Sequence, residues 1–293
     1  MHVAFPTAVE DVVRKASPRH RRWQRLLDGL TIDPDELPRP ISPPSDRDFI
    51  ICGCPRSGTT LLAAILWQPP HVATVSEPWD GLRLAPADLF RSLRDEIATT
   101  GSLRRGRLDV DRLSAERAVV WGRDGELRAS VAMNEGFLLG VKWPAFWRYL
   151  PLLPQTKFLV CVRDPIEVIE SFVHHGGDLV RGMDYRCAIN RAMNEELTRA
   201  TDDLGARRAL LYEYINSRVL PYLDDPNVFV VRYERWFTDR DRLVDEIGRF
   251  LGRPIGQGMP DIRTPRSRGT DPETRALVDR FCPSAPRLGY RTT

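Results

Sequence analysis

Lysine is almost missing from this chain: of its 43 lysine and arginine residues, only Lys15, Lys142 and Lys157 are lysine. The formal net charge is still only +3, so the arginines are nearly balanced by acids. A chain this close to neutral is a poor candidate for a nucleic-acid surface. Its densest basic cluster, Arg14-Lys15 with Arg19-His-Arg-Arg22, reads as the solvated face of a helix, and no nucleic-acid partner is expected. Long apolar runs are absent too: none reaches the roughly 18 residues of a membrane span. Met1 to Lys15 lacks the basic-then-apolar layout of a signal peptide, so a soluble, cytoplasmic protein is expected. Cysteine is sparse, with five residues, an odd number without paired spacing, which argues against a disulfide framework. Cys52 and Cys54 stand too close together for a zinc pair and read as small buried packing residues, so no metal is expected. There is no internal repeat or low-complexity tract, and nothing in the sequence specifies an oligomeric state.

What is present is the patterning of an α/β protein. In this 293-residue chain, 42% hydrophobic content is ample for a core. Residues 1–47 read as an N-terminal helix followed by the Pro-rich linker Pro38 to Pro44, leading into a domain over 48–293. Short apolar runs at Phe49–Cys52, His71–Ser76, Phe137–Val141, Lys157–Val162 and Asn227–Tyr233 read as about five strands. They are continuous rather than alternating and are separated by helical segments. That pattern predicts a single domain built on a parallel sheet covered by helices on both faces, with ligands beyond the carboxyl ends of the strands. Two polar excursions interrupt it. The first, 86–136, predicts a helix over Ala87–Ile97 and a loop over Gly101–Gly106. The second, 174–225, carries helical patterns at Tyr185–Thr198 and Gly205–Tyr222. Either is a natural place for an acceptor pocket or lid.

The first strand runs directly into Gly53-Cys-Pro-Arg-Ser-Gly-Thr-Thr60 and then into Leu61-Leu-Ala-Ala-Ile-Leu66, a strand, anion-binding loop and helix. The glycines permit sharp turns, and the backbone amides and helix start favour an anionic guest. Nucleotide-hydrolysing P-loops end Gly-Lys-Ser/Thr, whereas here Thr59 and Thr60 follow Gly58 and the positive charge sits earlier, at Arg56. A second motif follows the fourth strand: Arg163, at the strand end, precedes Ser171 by eight residues on a helix. Arginine suits a phosphate because its planar fork makes paired hydrogen bonds. Alone, an Arg-Asp-Pro start is as readily a salt-bridged helix cap.

Together these motifs resemble the PAPS-dependent sulfotransferase family, in the arginine-type form of the 5'-phosphosulfate loop found in bacterial and tyrosylprotein sulfotransferases. The resemblance implies 3'-phosphoadenosine 5'-phosphosulfate (PAPS) as donor and 3',5'-adenosine bisphosphate as product, with no metal. It implies that Pro55, Arg56, Ser57, Gly58, Thr59 and Thr60 hold the 5'-phosphosulfate, and that Arg163 and Ser171 hold the 3'-phosphate. Tyr233, of the pair Tyr233-Glu234, would lie near the adenine or else close the core. Arg268 and Gly269 are similar to a loop that closes on the 3'-phosphate in cytosolic members, though the Gly-Asp-Trp that follows there is missing. Leu61 also departs from cytosolic members, which stack a Trp on adenine at that place. Arg287-Leu-Gly-Tyr290 resembles the end of many bacterial members.

Cytosolic members use a histidine base, but Val141-Lys-Trp-Pro144 offers none, and no histidine stands at a strand end facing the loop. Glu77, in Val75-Ser-Glu-Pro78, corresponds to the glutamate base of tyrosylprotein and some bacterial members. Its alternative role is an ion pair with Arg56. Asp80 is the reserve candidate. Arg56 and Lys142 would flank the scissile bond, and Trp143 would floor the acceptor site or simply be buried. The acceptor is expected to be a small-molecule hydroxyl. A magnesium-dependent kinase or NTPase, and a non-catalytic nucleotide-binding homologue, remain the alternatives.

Overall fold

In the computed structural model, residues 37–106, 119–121, 127–175, 191–255, 262 and 271–290 are described. The strands are β1 (Asp48–Gly53), β2 (Val72–Ser76), β3 (Ser102–Gly106), β4 (Val119–Trp121), β5 (Leu127–Ser130), β6 (Leu138–Lys142), β7 (Lys157–Val162) and β8 (Val228–Arg232). The helices are α1 (Thr59–Ile65), α2 (Pro86–Thr100), α3 (Pro165–His175), α4 (Arg191–Ala200), α5 (Leu204–Val219), α6 (Arg235–Thr238), α7 (Arg240–Leu251), α8 (Pro272–Phe281) and α9 (Ser284–Arg287). The expected N-terminal helix, and half of the pattern at Tyr185–Thr198, lie outside the described residues.

All eight strands form one sheet in the order β4-β5-β3-β2-β6-β1-β7-β8. The five expected strands are consecutive and mutually parallel, β2-β6-β1-β7-β8. Every residue of β1 is buried, because side chains leave both faces of the sheet and each face is covered. The period-2 alternation divides the strands cleanly. Ile50, Cys52, Phe158 and Val160 enter one apolar cluster with α2, α3, α5 and α8. Phe49, Ile51, Leu159 and Cys161 enter the other, with α1 and α7. β1 lies where the strand order reverses: the chain leaves it through α1 toward β2 on one side and later adds β7 on the other. The crevice beyond such a strand is where α/β sheets bind ligands.

The first excursion corrects the expected loop. Residues 102–106 form β3, which pairs with β2 at Ser76 and Gly106 and then antiparallel with β5, while β4 pairs with β5. The strand pattern was hidden because an arginine occupies a core position. Leu103 and Arg105 are both buried. The Arg105 guanidinium lies 3.5 Å from the centroid of the Trp67 ring and donates to the Thr74 carbonyl. Long arginine side chains can fill such a site when the head finds a π face and acceptors.

Candidate functional site

β1 ends at Gly53 with φ +131, where a Cβ would lie 2.3 Å from the Cys161 carbonyl oxygen on β7. Only glycine lets the two strands stay this close as the chain turns into the loop. Cys54, next along, is fully buried, as is Cys52, and burial pushes both thiols up, so they are protonated packing residues as expected. Arg56 sits at φ +74, in the left-handed region that non-glycine residues avoid. Gly58, at φ +92, caps α1 without a side-chain hydrogen bond, so the first amides of that helix have no capping acceptor. The Tyr233 ring packs directly on Gly58, where a Cβ would come within 2.5 Å of Cδ2. Thr59 is buried and Thr60 exposed.

The second motif closes on the first. The Arg56 Nε donates to Ser171 Oγ at 2.9 Å, and Arg163 Nη1 donates to the Arg56 carbonyl at 3.2 Å. Arg163 and Ser171 thus meet through the loop rather than with each other. Arg163 Nη2 donates to Glu167 Oε2 at 2.9 Å, and its Cζ lies 4.2 Å from the Tyr233 ring centroid. Tyr233 is therefore held between Gly58 and Arg163, and burial raises its phenol, with the Arg163 charge opposing. One buried donor here, Arg163 Nε, has no hydrogen-bond partner. An N–H left unmade in the interior costs about 1–3 kcal/mol.

Glu77 follows β2 and also takes a positive φ, +53. Its amide donates to the Lys142 carbonyl at 2.7 Å, and its carboxylate accepts from Lys142 Nζ at 2.6 Å. Lys142 ends β6 between β1 and β2, in register with Ile51 and Ser76, and its side chain is 4% exposed against 16% for Glu77. Asp80, in the turn Trp79–Leu82, is 2.5 Å from Arg104 Nη1 of β3. Arg104 also pairs with Glu96, which takes Arg128, so Asp80 is tied into a charge network with β3, α2 and β5. Trp143 is buried and stacks on Phe146 with centroids 5.6 Å apart, which favours its packing role. Arg268 and Gly269 lie outside the described residues, although the amide of Asp271 just beyond them reaches Glu170 Oε1 on α3 at 3.5 Å.

Several positioning residues were not singled out from the sequence. Glu234 Oε1 accepts from the Asp164 amide at 2.8 Å and Oε2 from the Tyr290 hydroxyl at 3.0 Å. The Tyr212 hydroxyl donates to the Arg163 carbonyl at 3.1 Å. The motifs Tyr233-Glu234 and Arg287–Tyr290 were visible, but nothing in their spacing showed that they join each other beneath the Arg163 turn.

A family model for the sulfotransferase family matches residues 48–257. Among solved structures, a sulfotransferase from Alicyclobacillus acidocaldarius is 18% identical, with a TM-score of 0.45 over 85% of this chain and 95% of that one. The sulfotransferase domain from the Synechococcus PCC 7002 olefin synthase is 17% identical, with a TM-score of 0.41 over 84% and 90%. A mouse sulfotransferase complexed with PAP is 15% identical, with a TM-score of 0.39 over 82% and 65%. No curated protein matches. Structural likenesses this distant leave the family match to stand by itself.

Proposed function

Because the chain belongs to the sulfotransferase family, as the match over residues 48–257 requires, we propose that it moves a sulfuryl group from PAPS to a hydroxyl of a small-molecule acceptor. The donor supplies the activated sulfuryl group. In this reading Arg56, Ser57, Gly58, Thr59 and Thr60, with Pro55 shaping the turn, hold its 5' end, and Arg163 and Ser171 hold its 3'-phosphate. Tyr233 orients Arg163 from below. The excursions at 86–136 and 174–225 of the 48–293 domain form the acceptor side.

The observation that carries the reading is the Glu77–Lys142 pair at 2.6 Å, set at the ends of β2 and β6, of which β6 lies beside the strand that leads into the loop. Sulfuryl transfer needs a base for the acceptor proton and a cation for the oxygens of the transferring group, as phosphoryl transfer does. Glu77 accepts the hydroxyl proton, and Lys142 with Arg56 stabilises the developing charge. For Glu77 to take that proton, the Lys142 ammonium turns toward the anionic donor and the bound acceptor takes its place against the carboxylate.

Calorimetry with 3',5'-adenosine bisphosphate and with ATP, each with and without magnesium, tests the donor assignment. The bisphosphate is expected to bind without metal and more tightly than ATP. Magnesium-dependent binding with ATP preferred would overturn it in favour of a kinase or NTPase.

A further inference from the structure

Arg163 already has an anion. Its Nη2 donates to Glu167 Oε2 at 2.9 Å, in the first turn of α3. The other contacts of this guanidinium are fixed: Nη1 is on the main-chain carbonyl of Arg56, and the face lies on Tyr233. Glu167 is the movable partner. Its side chain is 42% exposed against 13% for Arg163, so the carboxylate can swing into water while the guanidinium stays where it is. The neighbouring acids are committed elsewhere. Asp164 Oδ1 accepts from the Ile166 amide, Glu234 from Asp164 and Tyr290, and Glu170 from Asp271.

Resting on the proposed reading of Arg163 as the holder of the 3'-phosphate, we propose that Glu167 is an internal stand-in for that phosphate. It occupies Arg163 in the nucleotide-free protein, is displaced when a 3'-phosphorylated nucleotide seats, and by reclaiming the guanidinium helps release the bisphosphate product. A phosphate dianion arriving beside a carboxylate on the same cation meets like-charge repulsion, so the exchange is obligatory. Glu167 thereby lowers affinity for nucleotides that carry a 3'-phosphate and leaves those without one untouched.

The test is calorimetry of 3',5'-adenosine bisphosphate and adenosine 5'-monophosphate with the full chain, as wild type, Glu167→Gln and Arg163→Ala. Glu167→Gln should bind the bisphosphate roughly threefold to tenfold more tightly and dissociate from it more slowly, with monophosphate affinity unchanged. If it binds the bisphosphate no better than wild type, or shifts both nucleotides alike, while Arg163→Ala has lost the preference for the bisphosphate, the stand-in role falls and the site reading survives. If Arg163→Ala keeps the full preference, the site reading itself falls and takes the inference with it. Thermal melts of both variants verify that the differences are read on folded protein.

Discussion

Arg56 and Glu77 are the two non-glycine residues held at positive φ among the described residues, and both belong to the proposed reaction centre. Holding such a residue there costs on the order of 1–3 kcal/mol, a cost that persists where the surrounding structure over-determines the geometry. For Glu77 the surrounding structure is Lys142, bonded to it through both main chain and side chain. Glu77→Gln keeps the shape and removes the base. It should cut sulfuryl transfer by about a hundredfold or more while leaving bisphosphate affinity near wild type. Activity equal to wild type, measured with any acceptor the enzyme accepts, would move the base elsewhere. Arg163→Ala should weaken the bisphosphate by a few kcal/mol at most, the value of a charge-assisted pair. Unchanged binding in the same titration would reject the 3'-phosphate assignment.

The elements that carry these residues differ in how plainly the sequence announces them. Strands such as Phe49–Cys52 and Lys157–Val162 stand out because burial on both faces demands unbroken apolar runs. The loop stands out because glycine at 53 and 58 answers a steric demand. β3 was hidden, because Arg105 fills a core position and breaks the alternation that signals a strand. The contact of Glu77 with Lys142 and that of Glu234 with Tyr290 were hidden for a different reason: they span 65 and 56 residues, and pairing across such distances is set by strand order, which no local pattern encodes. The Glu234–Tyr290 link makes the segment after α9 a support for the Arg163 turn. Tyr290→Phe should therefore weaken the bisphosphate by about threefold to tenfold, the value of one buried hydrogen bond, with only a small drop in melting temperature. A variant that loses stability but keeps its affinity would show that Tyr290 serves packing alone. Gly53→Ala belongs to the same scale. Its methyl group meets the Cys161 carbonyl at a strained φ, and a loss of roughly 3 kcal/mol is expected in a denaturant titration.

Across the whole molecule the sheet grades from a fully buried centre to an appended edge. β1 is flanked on both sides by parallel strands and covered on both faces, whereas β4 is a three-residue strand at the rim. Local opening free energy follows such burial, so hydrogen exchange should be slowest in β1, β6 and β7 and fastest in β4 and β5. Equal protection of β5 and β1 would mean that the added strands belong to the same cooperative unit as the parallel core. No described helix is long and apolar enough to cross a membrane.

Arg163 touches the loop twice, through the Arg56 carbonyl and, by way of the Tyr233 ring, at Gly58. In the proposed reading both ends of the nucleotide meet one preassembled surface. Arg163 keeps these contacts whether its anion is Glu167 or a phosphate, so the loop is braced before the donor arrives and little of the binding free energy goes into ordering it.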